Sequence, residues 1–372
     1  MGKRAFVIAG EASGDLHGAN LLKELFRMDA DLVVHAWGGD RMRAEGATVL
    51  KHYRELAFMG FTQVLLNLRT ILRNLSLCKA QITAFAPDVL ILIDYPGFNL
   101  RIADWAHAQG IRVVYYISPQ LWAWKENRIA VVKRAVDRMC VILPFEEPWY
   151  AERGVKVDFV GHPLLDEMAA YEAAGGTENK DRTNAPIALL PGSRAQEIAR
   201  MLPVMLRAAK HFPEERFVVA AAPSVPVEVY QRWIREAGDR TRPIELVTGK
   251  TYALLSEAKA AVVTSGTATL ETALFGVPEV VCYSGSAINV WLARRLINVR
   301  FISLVNLIMD REVVRELVQQ DMNADAIRME LDKLLHDVPY RERMRMDLRT
   351  LREKLGGPGA SARTARLVWK SP

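Results

Sequence analysis

Apolar residues follow two rhythms along this chain. Short continuous runs in the first half, AFVIAG from Ala5, LVVHAWGG from Leu32, VLILIDYPG from Val89, VVYYIS from Val113, MCVILP from Met139 and VDFVGHP from Val157, predict buried strands. Between them, stretches such as residues 64–85 and 99–109 place apolar residues at helical spacing. Strands alternating with helices predict a parallel sheet covered on both faces. Residues 169–186, AAYEAAGGTENKDRTNAP, are small, polar and without period, and predict a linker. A second alternation follows: IALLPGS, RFVVAAAPS, IELVTG, AAVVTSGT and EVVCYSG.

The expected fold class is therefore α/β, with two Rossmann-like doubly wound domains facing across a cleft at the carboxyl ends of their strands. Residues 1–168 form the first domain, 169–186 the linker and 187–340 the second. Residues 341–372 are a basic helical tail, expected to pack back towards the first domain. A length of 372 residues agrees with two cores rather than one.

Composition narrows the class only slightly. Half the residues are hydrophobic and a quarter charged, an ordinary globular balance. Cys78, Cys140 and Cys282 lie far apart with no CxxC or Cys/His spacing, which argues against a disulfide framework and a zinc site and fits a reducing cytoplasm. The net charge of +6 belongs to the tail: residues 340–372 hold nine Lys or Arg against three Asp or Glu, and the remainder balances. The charge thus gives no case for a nucleic acid partner. A basic tail suits an anionic membrane surface or an acidic partner, and a solvated helix face equally well. Met1 to Arg4 lead straight into a strand rather than an apolar leader, and runs such as Val89–Ile93 are too short to span a bilayer. A soluble or peripheral protein is expected.

Candidate chemistry lies in the strand-to-helix loops. In VIAGEASGDLHGAN, residues 7–20, the glycines Gly10, Gly14 and Gly18 stand four apart, matching neither GxGxxG nor GxxxxGK[ST]. In the second half, ALLPGSRAQEIARM ends a strand at Pro191, and Gly192 and Ser193 lead into a helix with Arg194 and Glu197 in its first turns. Exposed N–H groups, a positive helix end and a guanidinium suit a diphosphate, although a serine cap would look the same. VVTSGTATLETALF repeats the arrangement, with Ser265, Gly266, Thr267 and Thr269 at the turn and Glu271 one turn inside, where a carboxylate suits ribose hydroxyls. Two such loops in one domain point to a nucleoside diphosphate.

The first half offers acid–base chemistry. Asp94 leaves an apolar strand just before a Pro-Gly turn and Asn99, so partial desolvation would raise its pKa towards that of a general base. The alternative is a turn-capping aspartate. YYISPQLWAWKENR crowds Ser118, Gln120, Trp122, Trp124 and Lys125 into one loop, suited to a sugar ring, an acyl chain or a core. His17 and His162 are acid–base candidates that a structural role would equally explain. Residues 57–75 combine Leu65, Leu68, Leu72 and Leu75 with Arg69 and Arg73, and Phe58, Met59 and Phe61 add apolar surface that favours a helix lying on a membrane over one packed on the sheet. The one DxD string, Asp29-Ala30-Asp31, reads as an exposed turn, and no metal site is expected.

Taken in order, AGEASGD at 9–15, MGF at 59–61, IDYPGFN at 93–99, SPQLWAW at 118–124, LPFE at 143–146, GHP at 161–163, LPGSR at 190–194, SGTATLE at 265–271 and NLI at 306–308 make the chain resemble the lipid-A-disaccharide synthase family over nearly its whole length. That family consists of bacterial inverting glycosyltransferases with the two-domain GT-B fold. The resemblance implies a UDP-2,3-diacylglucosamine donor, a 2,3-diacylglucosamine 1-phosphate acceptor, a β-1,6 link and release of UDP, without metal or cofactor. It also implies a peripheral enzyme on the cytoplasmic face of the inner membrane, with a homodimer left open. Asp94 falls on the family's important aspartate and Arg194 on its phosphate arginine. Glu271 falls where related transferases hold the ribose, and Asn306 and Gln319 are further nucleotide candidates. With the nucleotide in the second domain, Glu11, Ser13, Gly14, Asp15 and His17 become acceptor-side candidates, beside Asn99, Ser118, Gln120 and Trp122. The chain departs from the family in carrying Gly97 where many members have a second acid, and Arg315 where members often have proline.

Two readings compete with the transferase. A UDP-sugar epimerase of the same architecture would need no acyl-chain surface, and a nicotinamide oxidoreductase is opposed by the glycine spacing at 10–18. A nucleotide-binding module without catalysis would leave Asp94 unexplained.

Overall fold

A computed structural model describes residues 2–56, 68–176, 184–238, 241–285 and 299–370. The chain forms two compact units, residues 1–166 with 357–372 and residues 167–356.

The first unit is built on a seven-stranded sheet in the order β3-β2-β1-β4-β5-β6-β7. Its strands are β1 (Arg4–Ala9), β2 (Val33–Gly38), β3 (Thr48–His52), β4 (Val89–Ile93), β5 (Arg112–Tyr116), β6 (Arg138–Val141) and β7 (Asp158–Phe159). Every pairing is parallel. Ala5–Ala9 and Val89–Ile93 are wholly buried, which explains why the central strands read as unbroken apolar runs. The strand order reverses between β1 and β4, and loops that leave the carboxyl ends of strands at such a point form the usual ligand site.

The second unit repeats the plan with six parallel strands in the order β10-β9-β8-β11-β12-β13. These are β8 (Ile187–Leu190), β9 (Phe217–Ala221), β10 (Glu245–Thr248), β11 (Ala260–Thr264), β12 (Glu279–Tyr283) and β13 (Arg315–Val318). The order reverses between β8 and β11, the strands that feed the two phosphate-type loops. The α/β class with two parallel sheets is as the apolar rhythm predicts. β3 and β13 escape that rhythm because both are edge strands carrying Thr, Lys, Arg and Glu.

The linker and tail fall differently from expectation. Residues 169–173 belong to a helix, Leu164–Ala173, and residues 177–183 lie outside the described residues. The tail is two elements: helix Val338–Lys354 stays with the second unit, and helix Ala360–Val368 returns to the first. Asp166 fastens that return by accepting hydrogen bonds from the backbone N–H groups of Gly359, Ala360 and Ser361, the last at 2.9 Å. Arg363 donates to the Val160 carbonyl at 2.7 Å, and Ala365 and Val368 enter the core beside Leu21 and Leu22. Part of the tail's charge is paired internally: Arg345 pairs with Glu342, Arg341 donates to the carbonyls of Leu334 and Leu335, and Asp347 is clasped by Arg311.

Phe58, Met59, Phe61, Leu65 and the MGF motif lie outside the described residues. From Leu68 the segment is helix Leu68–Phe85. Cys78, Ile82 and Phe85 face the core, while Leu72 and Leu77 are exposed. Among the described residues no helix is long and apolar enough to cross a membrane.

Candidate functional site

In the first unit the site is organised around the end of β4. Asp94 and Tyr95 both adopt left-handed backbone, φ 45° and 49°, a conformation costly for residues with a Cβ and characteristic of functional turns. The Asp94 carbonyl is held from two sides, by Asn99 Nδ2 at 2.7 Å and the Tyr115 hydroxyl at 2.6 Å, and its N–H donates to the Tyr116 carbonyl at 3.1 Å. With its backbone tied, the carboxyl is aimed by geometry rather than by a side-chain clasp. Burial first, then the negative charge of Glu11, raise its pKa to about 7, against the lowering effect of the Tyr95 N–H. The shift brings the titration of this carboxyl towards neutrality, the range in which an acid–base group is effective.

The opening glycines turn out to be packing residues. A Cβ on Gly10 would stand 2.3 Å from the Tyr95 ring, and one on Gly18 would stand 2.7 Å from Met42 Sδ. Their spacing fits no nucleotide motif because they let helix Ala12–Met28 and its loop approach β4 closely. Helix Ala12–Met28 starts at Glu11, and Ala12 and Ser13 are exposed there. Gly14, buried in the first turn, lies against Ala9.

Two acceptor-side candidates have other work. Asp15 accepts from the N–H groups of Gly39 at 2.7 Å, Arg41 at 3.1 Å and Met42 at 3.2 Å, and this buried carboxylate caps helix Asp40–Ala44, a structural role that accounts for it without a substrate. His17 is buried under the returning helix, and burial lowers its pKa to about 4 despite Asp166. His162, lowered to about 3 by burial and by His17, accepts from the Leu164 N–H at 3.2 Å. Burial thus favours the uncharged imidazole in both, with one ring N–H retained.

Ser118, Gln120 and Trp122 lie on the loop after β5, whose shape depends on Glu146, a residue the sequence shows only as part of LPFE. Its buried carboxylate accepts from Ser118 Oγ at 2.6 Å, Trp122 Nε1 at 3.3 Å and the N–H groups of Ile142 and Leu143 at 3.1 and 2.9 Å. Burial raises its pKa in spite of these four donors. Gln120 is exposed, and Trp122 packs edge-on against Phe145 at 5.0 Å.

In the second unit, Gly192 has φ 111°, and a Cβ there would meet Glu197 Oε2 at 2.8 Å. Glu197 braces the loop: it accepts from the Ser193 N–H at 3.1 Å and from Arg194 Nη1 at 2.7 Å. Its carboxylate therefore positions the arginine rather than offering a contact to a diphosphate, which it would repel. Arg194, half exposed, is the N-cap residue of helix Ala195–Ala209.

The second loop leaves β11 through Ser265 and Gly266 into helix Thr267–Leu274. Ser265 Oγ donates to the Ile302 carbonyl at 3.1 Å, and buried Thr269 donates to the Gly266 carbonyl at 2.8 Å. Gly266 and Thr267 are exposed at the helix start. Glu271 receives the Tyr252 hydroxyl at 3.3 Å, with its pKa raised by burial.

Asn306 requires a correction. Its Nδ2 donates to the Val314 carbonyl at 2.8 Å and to Glu316 Oε1 at 2.9 Å, and its Oδ1 accepts from Val313 and Val314 at 2.7 and 3.0 Å. The amide has no capacity left for a nucleotide and instead ties helix Leu304–Met309 to the start of β13. Gln319 differs: it follows β13 in left-handed backbone, φ 59°, and its Nε2 is buried without a partner. With strained backbone and a donor unspent among the described residues, Gln319 stays a candidate where Asn306 does not.

The family model for lipid-A-disaccharide synthetase matches residues 5–368. The chain belongs to that family. The lipid-A-disaccharide synthase of Syntrophus aciditrophicus is 41% identical over 98% of this chain and 96% of its own, and that of Geobacter metallireducens is 40% identical over the same shares. Among solved structures, a Staphylococcus aureus MnaA–UDP complex superposes with a TM-score of 0.70 at 14% identity, covering 100% of this chain and 99% of its own. The glycosyltransferase of kitacinnamycin gives 0.65 at 17%, covering 99% and 98%. At these identities the two structures share the fold, which is the GT-B arrangement of two α/β units.

Proposed function

We propose that this glycosyltransferase of lipid A disaccharide synthesis uses Asp94 as its general base. The donor is UDP-2,3-diacylglucosamine and the acceptor 2,3-diacylglucosamine 1-phosphate. The acceptor 6-hydroxyl attacks the donor's anomeric carbon, its proton passes to Asp94, and the bond to the UDP oxygen breaks with inversion. The observation that carries this reading is an aspartate at a sheet's switch point, strained in backbone and raised in pKa to about 7.

Arg194, oriented by Glu197, and the N–H groups opening helices Ala195–Ala209 and Thr267–Leu274 are suited to the charge on departing UDP. Glu271 and Gln319 are suited to the ribose and base. Fixed donors of this kind remove the need for a metal, so turnover is expected to survive EDTA. Acylated substrates suit an enzyme working peripherally at the inner membrane's cytoplasmic face. The test is incubation with the two acylated sugars: UDP and a phosphorylated disaccharide should appear together. UDP release without disaccharide would point to hydrolysis and sink the reading.

A further inference from the structure

Three cations of the first unit, Arg101, Lys125 and Arg128, have no acidic partner among the described residues. Lys125 Nζ lies 4.4 Å and Arg128 Cζ 5.7 Å from the centre of the Trp124 ring, so one indole carries both. Burial and mutual repulsion lower the pKa of both: Lys125 by burial, then Arg128, then Arg101, and Arg128 by burial, then Arg101, which is exposed on helix Pro96–Ala108. The neighbouring acids are occupied elsewhere: Glu126 pairs with Arg153 at 2.6 Å and Asp104 with Arg134 at 2.7 Å. Lys125 is also held in left-handed backbone, φ 56°. Like charges brought together at the expense of strain and repulsion are stabilised by a bound anion.

The cluster stands on elements that flank the base. Arg101 is on the helix that begins two residues after Asp94 and packs against helix Ile129–Ala135, which directly follows Arg128, and Lys125 and Arg128 follow the loop after β5, whose Tyr115 hydroxyl donates to the Asp94 carbonyl at 2.6 Å. We propose that Arg101, Lys125 and Arg128 bind a phosphate monoester, namely the phosphate at the end of the acceptor sugar opposite its reacting hydroxyl. The proposal rests on the acceptor assigned above. It gives the acceptor an anchor in the same unit as the base, so that one sugar ring bridges the cations and Asp94.

The test compares the parent enzyme with R101Q and with R101Q combined with K125N, asparagine being tolerant of left-handed backbone. R101Q changes an exposed helical residue and should leave melting unaltered. Each lost charge should raise the acceptor KM about tenfold while the donor KM stays, as for loss of a charge-assisted hydrogen bond. A readout independent of turnover is ligand-observed NMR of the full chain with glucosamine 1-phosphate and with glucosamine. The parent should prefer the phosphorylated sugar and the variants should lose that preference. Equal response of the parent to both sugars, or a preference surviving in the double variant, overturns the site. A parent that keeps the preference but makes no disaccharide sinks the assigned reaction and leaves the site standing. Pelleting with phosphatidylglycerol vesicles separates the other phosphate source. Parent and variants should pellet alike, whereas loss of pelleting with the sugar preference retained would assign the cations to lipid headgroups and overturn the proposal.

Discussion

At the scale of single residues, the chemistry depends on how Asp94 is held. Because its pKa is raised to about 7, the base form is lost as pH falls through that value. kcat/KM should therefore rise about tenfold per pH unit below 7 and level off above it. Asp94→Asn should lower kcat by two or more orders of magnitude, roughly the range for removing a positioned base, and a normal rate in that variant would remove Asp94 from the role. Gly97 offers a subtler probe, since a Cβ there meets nothing within 4 Å. Gly97→Asp would place a second acid near Asp94, at the start of helix Pro96–Ala108, where a negative charge is stabilising by about 0.3–1 kcal/mol. The added charge should move the acid limb of the pH profile upwards, and an unmoved limb would show the two carboxyls do not interact. By contrast, Gly10→Ala drives a methyl into the Tyr95 ring and should lower kcat through the displaced turn.

Elements explain which polar residues are structural. Asp15, Asp166, Asn306 and Glu146 are all buried or half-buried side chains that cap helices or tie loops: the first three accept from backbone N–H groups, and Glu146 from two backbone N–H groups, the Ser118 hydroxyl and the Trp122 indole. Asp166→Ala should cost about 0.5–2 kcal/mol, the range for losing a helix cap, and lower the melting temperature by loosening helix Ala360–Val368. Glu279 is the opposite case. It opens β12 fully buried, both carboxyl oxygens lack a partner, and burial raises its pKa well above the usual value. A folded-state pKa above the unfolded one means that stability is greatest below the unfolded value, about 4 to 5, and declines as pH rises from there until the raised folded-state pKa is passed. Glu279→Met should stabilise the protein by about 1–3 kcal/mol, more at alkaline than at acid pH. Denaturant titrations at both pH values check this, and a pH-independent difference would refute the ionisation argument.

For the whole molecule, the division of labour between units is the main consequence. UDP affinity should fall in Arg194→Ala and stay near the parent value in Asp94→Asn, because the two residues belong to separate units. Calorimetric titration with UDP checks the pair, and a large loss in Asp94→Asn would contradict the separation. The chain itself is not divided so simply, since its last residues return to the first unit and Asp166 holds them there.

Local pattern alone carried a good deal of this. The unbroken apolar strands, the loops after β4, β8 and β11 and the placement of Asp94, Arg194 and Glu271 followed from periodicity and turn residues, because central parallel strands are buried on both faces and their sequence has to show it. The edge strands β3 and β13 were hidden for the converse reason, being half solvated. What tertiary structure decided is which polar side chains have capacity to spare. Asp15 and Asn306 looked like ligand contacts until their partners, 24 and 8 residues away in Gly39 and Val314, were in place, while Gln319 kept an unspent donor. Nor does any linear motif join Arg101 to Lys125 and Arg128; folding assembles that charge, because hydrogen bonds and repulsions act through space and a sequence records only neighbours along the chain.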